Sequence, residues 1–401
     1  MLNAYIYDGL RSPIGRHGGV LASIRPDDLA AEIIKKLIEK TGIPGADIED
    51  VILGDTNQAG EDSRNVARMA VLLAGLSVTV PGQTVNRLCA SGLGAIIDSA
   101  RAITCGEGEL YIAGGVESMT RAPFVMGKAE TAFSRETKIF DTTIGSRFPN
   151  KKITAQYGGH SMPETGDNVA VEFGITREQA DTFAAQSQAK YQQAKTEGFF
   201  EGEITPIEVS QGKKLPPKLV SEDEHPRPSS NFEALSKLKP LFEGGVVTAG
   251  NASGINDGAA ALLIGSETVQ EKYGLKPMAK ILSAAAAGIE PRIMGAGPIE
   301  AIKKAVSRAG LTLDDMDIIE INEAFASQVL SCLKGLDVDF NDPRVNPNGG
   351  AIAVGHPLGA SGARLTLTVA RELQRRQKKY AVVSLCIGVG QGLAMVIENV
   401  S

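Results

Sequence analysis

Hydrophobic and polar positions along the chain follow the helical and the strand period in turn. A helical pattern runs from Pro26 to Lys40 and is followed by Gly42, and proline in the first turn with glycine just past the end is typical of a helix. Strands and helices then alternate, beginning with a strand, in the segments 51–53, 65–74, 83–87, 90–104 and 109–113. This alternation predicts an α/β fold.

A unit of the N-terminal part of the chain recurs near its C-terminus. Ser91 opens a helical pattern 19 positions before Leu110, and Ser361 opens one 19 positions before Tyr380. The second unit continues directly into a strand at 392–398, whereas the first reaches its counterpart, 258–265, only after a long segment rich in charge and proline. We therefore expect an N-terminal half formed by residues 1–119 and 248–271, a loop-rich, surface-facing insertion at 120–247, and a C-terminal half at 272–401.

Composition and charge exclude several classes of protein. The 401 residues are 43% hydrophobic and 22% charged, which is typical of a globular protein. A net charge of −6 with scattered Lys and Arg lacks the footprint of a nucleic-acid binder. Apolar runs, the longest at 259–264, are shorter than a membrane helix, and residues 1–7 do not resemble a secretory signal. We expect a cytoplasmic protein that contacts neither nucleic acid nor membrane.

Cys89 stands between a predicted strand and a predicted helix. Free backbone N–H groups and the helix dipole favour a thiolate there, although a buried packing thiol is the alternative. The four cysteines have spacings unlike those of zinc sites or redox pairs, so no metal site or disulfide framework is expected.

Three further residues have suitable chemistry at suitable places. His356 lies among small residues and supplies an imidazole, the usual proton acceptor near neutral pH, but a turn histidine is equally consistent with its context. Cys386 ends a strand pattern, where an acid/base thiol would meet exposed N–H groups. Asn322 follows a strand and either caps a helix or holds a water. The other histidines (His17, His160, His225) are expected at the surface or a ligand's edge, and the other cysteines (Cys105, Cys332) in packing.

Four segments together resemble the thiolases. They are the Cys-Ala-Ser-Gly turn at Cys89, Asn322–Phe325, Gly355–Pro357 and Cys386–Gly390, and similar stretches at 11–15, 114–119 and 247–254 extend the likeness over nearly the whole chain. The resemblance implies the thiolase fold, two duplicated halves in a five-layered αβαβα architecture with an inserted loop domain. It also implies an acyltransferase that takes acyl-CoA and CoA as substrates, uses no other cofactor and no metal, and forms a homodimer or homotetramer.

The same resemblance assigns roles to individual residues. Cys89 would be the nucleophile that accepts an acyl group, His356 its base, and Cys386 the second acid/base. Asn322 would hold a water that stabilises an enolate with His356, and the amides of Cys89 and Gly388 would bind a tetrahedral oxyanion. Expected contacts with CoA or substrate are Arg227, Ser253, Ala249, Met162, Met294 and Phe325. Many thiolases have His before the methionine at 162, whereas this chain has Ser161, with His160 one place earlier.

Four stretches, 59–68, 122–126, 141–145 and 161–165, look like those of thiolases that act on 3-oxoadipyl-CoA. Such a substrate carries a distal carboxylate, which a guanidinium recognises well, and Arg64, Arg135 and Arg147 are candidate readers. Three alternatives stay open: an acetyl-CoA C-acetyltransferase that makes or cleaves acetoacetyl-CoA, a decarboxylating ketoacyl synthase, and a non-catalytic acyl-CoA- or lipid-binding relative. A ketoacyl synthase would not need Cys386, and the intact Cys89, His356 and Cys386 weigh against a non-catalytic relative.

Overall fold

The computed structural model describes residues 1–401 and consists of helices packed on a large mixed sheet. The strands are β1 (Ala4–Arg11), β2 (Gly15–Arg16), β3 (Asp50–Gly54), β4 (Gly82–Val85), β5 (Leu110–Ser118), β6 (Phe124–Met126), β7 (Ile139–Asp141), β8 (Ile207–Val209), β9 (Lys218–Val220), β10 (Asn256–Gly265), β11 (Ala279–Gly288), β12 (Ile318–Ile321), β13 (Tyr380–Ile387) and β14 (Gln391–Asn399). The α-helices are α1 (Pro26–Thr41), α2 (Val66–Leu73), α3 (Ser91–Cys105), α4 (Lys151–Tyr157), α5 (Met162–Phe173), α6 (Arg177–Thr196), α7 (Phe232–Leu235), α8 (Thr268–Tyr273), α9 (Gly297–Arg308), α10 (Ala326–Gly335), α11 (Ala351–Val354) and α12 (Leu358–Arg376).

The main sheet has ten strands, and its order shows the internal duplication. Strands follow one another as β4, β3, β5, β10, β1, β11, β14, β13 and β12, with β2 paired to β10 off this path. Each half contains a parallel pair, β3 with β5 and β12 with β13, followed by two antiparallel neighbours. The halves join where β1 pairs antiparallel with β11. The duplicated pattern read from the sequence is therefore present in the strand order.

Helices occupy three layers around the two halves of the sheet. Helices α3 and α12 pack on each other and on strands of both halves, and one hydrophobic core surrounds them. Helices α1 and α2 cover the outer face of the N-terminal half, while α9 and α10 cover that of the C-terminal half, each with its own core. This is the helix–sheet–helix–sheet–helix layering that the sequence led us to expect.

Glycines allow the central helices to touch at their N-termini. A Cβ added to Gly92 would lie 2.5 Å from the carbonyl oxygen of Gly359, and one added to Gly362 would lie 2.3 Å from the backbone nitrogen of Leu93. Gly115 lies inside β5, where a Cβ would lie 2.0 Å from the same Gly359 oxygen. The sequence pattern predicted a strand over 109–113 only, and this end is wrong, because Gly114 and Gly115 serve close packing in the interior of a strand that runs to Ser118.

The segment 120–247 contains more regular structure than its composition indicated. It includes α4 to α7, and the 20-residue helix α6 buries Phe183 and Tyr191 against neighbouring elements. The expectation of a loop-rich insertion is wrong for α5 and α6, because each helix buries one face of mainly small and apolar side chains against neighbouring elements.

One stretch, Leu88–Cys105, is apolar and long enough to cross a membrane, with a mean hydropathy of 1.2. The sequence prediction concerned uninterrupted apolar runs, and this stretch is not one, because it contains Asp98 and Arg101. This stretch is 61% buried inside the fold, where α3 lies between the two halves. Its apolar character is that of a core helix.

A pair of alanine substitutions in α3 tests this close packing. We expect Gly92→Ala to destabilise the fold by ~1–3 kcal/mol, because the new methyl would overlap the Gly359 carbonyl. Gly94→Ala, in the same helix with nothing within 4 Å of its added Cβ, is the matched control and gains up to ~1 kcal/mol of helix propensity. Thermal denaturation of both variants makes the comparison, and equal midpoints would contradict the assigned contact.

Candidate active site

Cys89 lies in a tight bend that delivers it to the start of α3. Asn86 Oδ1 accepts a hydrogen bond from the Leu88 amide at 2.9 Å, and Ser91 Oγ accepts one from the Arg87 amide at 2.8 Å. Leu88 adopts the left-handed backbone conformation, with φ of 47°. The bend thus fixes Cys89 directly before the helix, and its side chain is almost completely buried.

His356 is held by a second bend, in front of α12. Its backbone amide donates to Asn256 Oδ1 at 2.9 Å, and its ring Nδ1 lies 2.7 Å from Ser361 Oγ, which is 3.2 Å from the Pro357 carbonyl. A proton on Nδ1 satisfies this chain, since Nδ1–H then donates to Ser361 and Ser361 donates to Pro357. Ring Nε2 is left as an acceptor, 3.4 Å from Asn322 Nδ2.

Asn322 and Cys386 come from neighbouring strands of the C-terminal half. The Asn322 amide donates to the Ser384 carbonyl at 2.9 Å, so the asparagine follows β12 beside the end of β13, where Cys386 lies. Asn322 Oδ1 is buried and has no hydrogen-bond partner. Helix α10 takes Phe325 as its N-cap, so the capping alternative for Asn322 is wrong. Its free amide oxygen is instead available to a water or a ligand.

The loop after Cys386 returns to Cys89. Val389 and Gly390 both have positive φ, 65° and 84°, and the resulting turn directs the backbone N–H of Gly388 at the Cys89 sulfur, where it opposes the rise in that thiol's pKa. The structure thus brings Cys89, Cys386 and Gly388 together, and Asn322 links the same region to His356.

Burial keeps the three titratable groups uncharged. It raises the pKa of Cys89 to about 11 and lowers that of His356 to about 3, with the positive charge of Arg364 adding to the fall. Burial also raises the pKa of Cys386, and the nearby Cys89 adds to that rise. Without substrate, the site holds two thiols and a neutral imidazole with an unprotonated Nε2, which suits a base.

A buried carboxyl pair that sequence reasoning missed lies behind the two bends. Glu117 accepts four hydrogen bonds, from the Thr56 amide and hydroxyl, the Asn57 amide and the Gly359 amide. Gly359 lies in the first turn of α12, directly after the His356 bend, and the Thr56 carbonyl accepts from Asn86 in the Cys89 bend at 3.1 Å. Glu117 therefore ties the two bends together. Its position inside the stretch 114–119 was the one signal available in the sequence.

Asp55 is the second member of this pair. Burial raises its pKa to about 10, and the charges of Glu117 and Asp62 add to the rise. Burial also raises the pKa of Glu117, but its four donors oppose that effect. Because Asp55 Oδ2 has no hydrogen-bond partner, Asp55 holds the proton at neutral pH and Glu117 holds the charge.

An apolar wall lines one side of Cys386. Met294 and Phe325 are buried against it, and Met162 packs on the same cluster. The backbone before β10 runs beside this wall, since the Ser253 amide donates to the Ala324 carbonyl at 2.9 Å. Of the expected CoA contacts, Ala249 and Arg227 are exposed at the surface.

The other histidines and cysteines differ in part from expectation. His225 is buried, with Nδ1 3.3 Å from Asn256 Nδ2, and burial lowers its pKa to about 4. The surface role expected for it is wrong. His160 and His17 are exposed. Cys332 is a packing thiol, whereas Cys105 is exposed at the end of α3 rather than packed.

Comparison with known proteins identifies the family. Residues 4–268 match the N-terminal domain of thiolases, and residues 275–399 match the C-terminal domain. The chain belongs to the thiolase family. This thiolase is therefore an acyltransferase that acts on acyl-CoA and CoA, and the architecture described above is the thiolase fold.

Similar proteins cover the whole of this thiolase. It is 56% identical to the beta-ketoadipyl-CoA thiolase of Acinetobacter baylyi and 55% identical to the 3-oxoadipyl-CoA/3-oxo-5,6-dehydrosuberyl-CoA thiolase of Escherichia coli, with 100% of each chain covered in both comparisons. The crystal structure of the Bacillus anthracis acetyl-CoA acetyltransferase matches with a TM-score of 0.92 and 38% identity, covering 100% of this chain and 99% of that one.

Replacing the protonated carboxyl tests the buried pair. Aspartate in the unfolded chain has a pKa of ~4, whereas burial raises the pKa of Asp55 in the folded protein to about 10. Between these two pH values, folding requires Asp55 to bind a proton. The contribution of Asp55 to stability therefore falls as the pH rises from ~4 to about 10. Asp55→Asn needs no proton, so we expect it to be more stable than the parent by ~1–3 kcal/mol at pH 8, and by much less at pH 5. Thermal midpoints at both pH values test this, with the exposed Asp314→Asn as control. A gain that does not change with pH would contradict the assignment.

Proposed function

We propose that this thiolase cleaves 3-oxoadipyl-CoA with CoA, giving succinyl-CoA and acetyl-CoA through an acyl-cysteine intermediate. The observation that carries the proposal is the full-length identity of 55–56% to proteins named for this substrate. The sequence identity to the Bacillus anthracis acetyl-CoA acetyltransferase is lower, at 38%.

In the first step, Cys89 attacks the 3-oxo carbon and passes its thiol proton to His356 Nε2. The bond between carbons 2 and 3 then breaks, leaving a succinyl group on Cys89 and the enolate of acetyl-CoA. Cys386 gives its proton to this enolate, which departs as acetyl-CoA. The uncharged thiols and the unprotonated Nε2 support these roles, since each group begins with the proton count that its step requires.

In the second step, CoA attacks the acyl group on Cys89. The proton of the CoA thiol goes to the Cys386 thiolate, and His356 returns its proton to the departing Cys89, so that the enzyme regains its starting state. Backbone N–H groups of Cys89 and Gly388 stabilise the tetrahedral oxyanion, and a water on Asn322 together with His356 stabilises the enolate. A donor of this kind contributes ~3 kcal/mol. The unpartnered Asn322 Oδ1 supports the place of that water.

The remaining expectations belong to the same proposal. Ser253, Ala249 and Arg227 bind CoA, and Met162, Met294 and Phe325 form the wall of the substrate site; the apolar cluster around Cys386 supports the second group. The domain boundaries are 1–119 with 248–271, 120–247 and 272–401. The protein acts in the cytoplasm as a homodimer or homotetramer and uses no cofactor besides its CoA substrates.

Substrate preference tests the proposed function. We expect kcat/KM for thiolysis of 3-oxoadipyl-CoA to exceed that for acetoacetyl-CoA at least ~10-fold, which corresponds to ~1.4 kcal/mol of discrimination. Acetyl-CoA release measured with each substrate gives the ratio. A preference for acetoacetyl-CoA would favour an acetyl-CoA C-acetyltransferase and overturn the proposal.

Acyl labelling separates the roles of the two thiols. With succinyl-CoA as donor, Cys89→Ala should take up no acyl group, because the nucleophile is absent. Cys386→Ser should still be labelled but lose ~10²–10⁴-fold in cleavage of 3-oxoadipyl-CoA. Intact-protein mass spectrometry and the thiolysis assay measure the two effects, and Cys105→Ala, which changes an exposed thiol, is the control. Labelled Cys89→Ala would refute the assignment.

A further inference from the structure

We propose that Arg147 binds the distal carboxylate of the substrate and so determines the substrate specificity of the enzyme. The inference rests on the proposed function, because only a substrate with a carboxylate at the far end of its acyl chain needs such a group. Sequence resemblance left three arginines as candidates. The structure distinguishes between them by position and by the partners of each guanidinium.

Arg147 lies beside the bend that carries the nucleophile. Its Nη2 is 3.4 Å from the Thr56 carbonyl, the same oxygen that accepts from Asn86 Nδ2 at 3.1 Å. Asn86 in turn accepts from the Leu88 amide, one residue before Cys89. One carbonyl and one side chain therefore connect the guanidinium to the Cys89 bend. The carboxylate of a succinyl group on Cys89 is only a short saturated chain away from the sulfur.

The guanidinium of Arg147 has N–H donors without hydrogen-bond partners, and no acidic side chain pairs with it. Its other contact is Nη1 to the Thr142 carbonyl, also at 3.4 Å. Two long bonds to carbonyls leave most of its five N–H groups free for a carboxylate. By contrast, the buried Arg11 is paired with Glu203, and the half-buried Arg121 is paired with Glu61.

The carboxylate next to Thr56 does not supply that partner. Glu117 already accepts four hydrogen bonds from Thr56, Asn57 and Gly359. Arg147 is half-buried, whereas the other two candidates, Arg64 and Arg135, are exposed. A partly desolvated guanidinium binds a carboxylate in a planar, bidentate manner more strongly than an exposed one does.

Apolar side chains lie beside Gly388, next to the Cys89 bend. A Cβ added to Gly388 would lie 3.3 Å from Leu88 Cδ1 and 3.9 Å from Met162 Sδ, so these two side chains flank the Gly388 amide that faces Cys89. The methylenes of the acyl chain would thus lie against Leu88 and Met162, with the charged end at Arg147.

Paired substrates test the inference. Thiolysis of 3-oxoadipyl-CoA is compared with that of 3-oxohexanoyl-CoA, which has the same number of acyl carbons and no carboxylate. We expect Arg147→Ala to lower kcat/KM for 3-oxoadipyl-CoA ~10- to 100-fold, because this is the usual strength of hydrogen bonds to charged groups. The kcat/KM for 3-oxohexanoyl-CoA should stay within about threefold of the parent value. Arg147→Lys keeps the charge without the planar fork and should fall between the parent and Arg147→Ala.

The control variant is Lys138→Ala, which removes an exposed, unpaired positive charge from the same inserted segment. It should leave kcat/KM unchanged for both substrates. An equal loss for both substrates in Arg147→Ala would show that Arg147 only supports the Thr56 and Thr142 backbone, and would overturn the inference. So would no loss for either substrate, or a selective loss in Arg64→Ala, Arg87→Ala or Arg135→Ala instead. If the parent enzyme does not prefer 3-oxoadipyl-CoA over 3-oxohexanoyl-CoA, the proposed function itself fails.

Discussion

Contact between the N-termini of α3 and α12 is the constraint on which the site depends. Gly92 and Gly362 let the two helices approach until backbone meets backbone. Each helix is preceded by a bend, one carrying Cys89 and the other His356. Because the helices meet at these ends, two residues 267 positions apart are brought to one region, and the duplicated halves together form a single site. Glu117 then secures the arrangement: it accepts hydrogen bonds from Gly359 at the start of α12 and from Thr56, whose carbonyl accepts from Asn86 in the Cys89 bend.

Burial determines the charge of the site. Thiols and an imidazole in this interior are all neutral, because desolvation disfavours every charged form. Charge therefore develops only during the reaction, where fixed donors such as the Gly388 amide already point at its location. Preorganised dipoles in a desolvated site are an efficient means of stabilising such a charge.

Much of this arrangement could be predicted from the sequence, and the exceptions share a cause. The helix from Pro26 to Thr41 and the strand–helix junction at Cys89 follow from local periodicity and end signals. The buried state of His225 and the Glu117–Asp55 pair could not be predicted, since both depend on which distant segments pack around them. The strand predicted over 109–113 was too short for the same reason: nothing local shows that Gly114 and Gly115 are required by a neighbouring backbone inside the strand.

The pairing of β1 has a consequence for how the chain acquires its structure. Residues Ala4–Arg11 are made long before their partners β10 and β11, in which Gly265 and Lys280 lie opposite Tyr5. During synthesis on the ribosome, this largely apolar strand must wait for the whole segment 12–255 before either neighbour exists. Contacts between such distant segments form slowly and leave strand edges exposed to aggregation. The strand at the centre of the finished sheet is thus the one that most needs protection in the nascent chain.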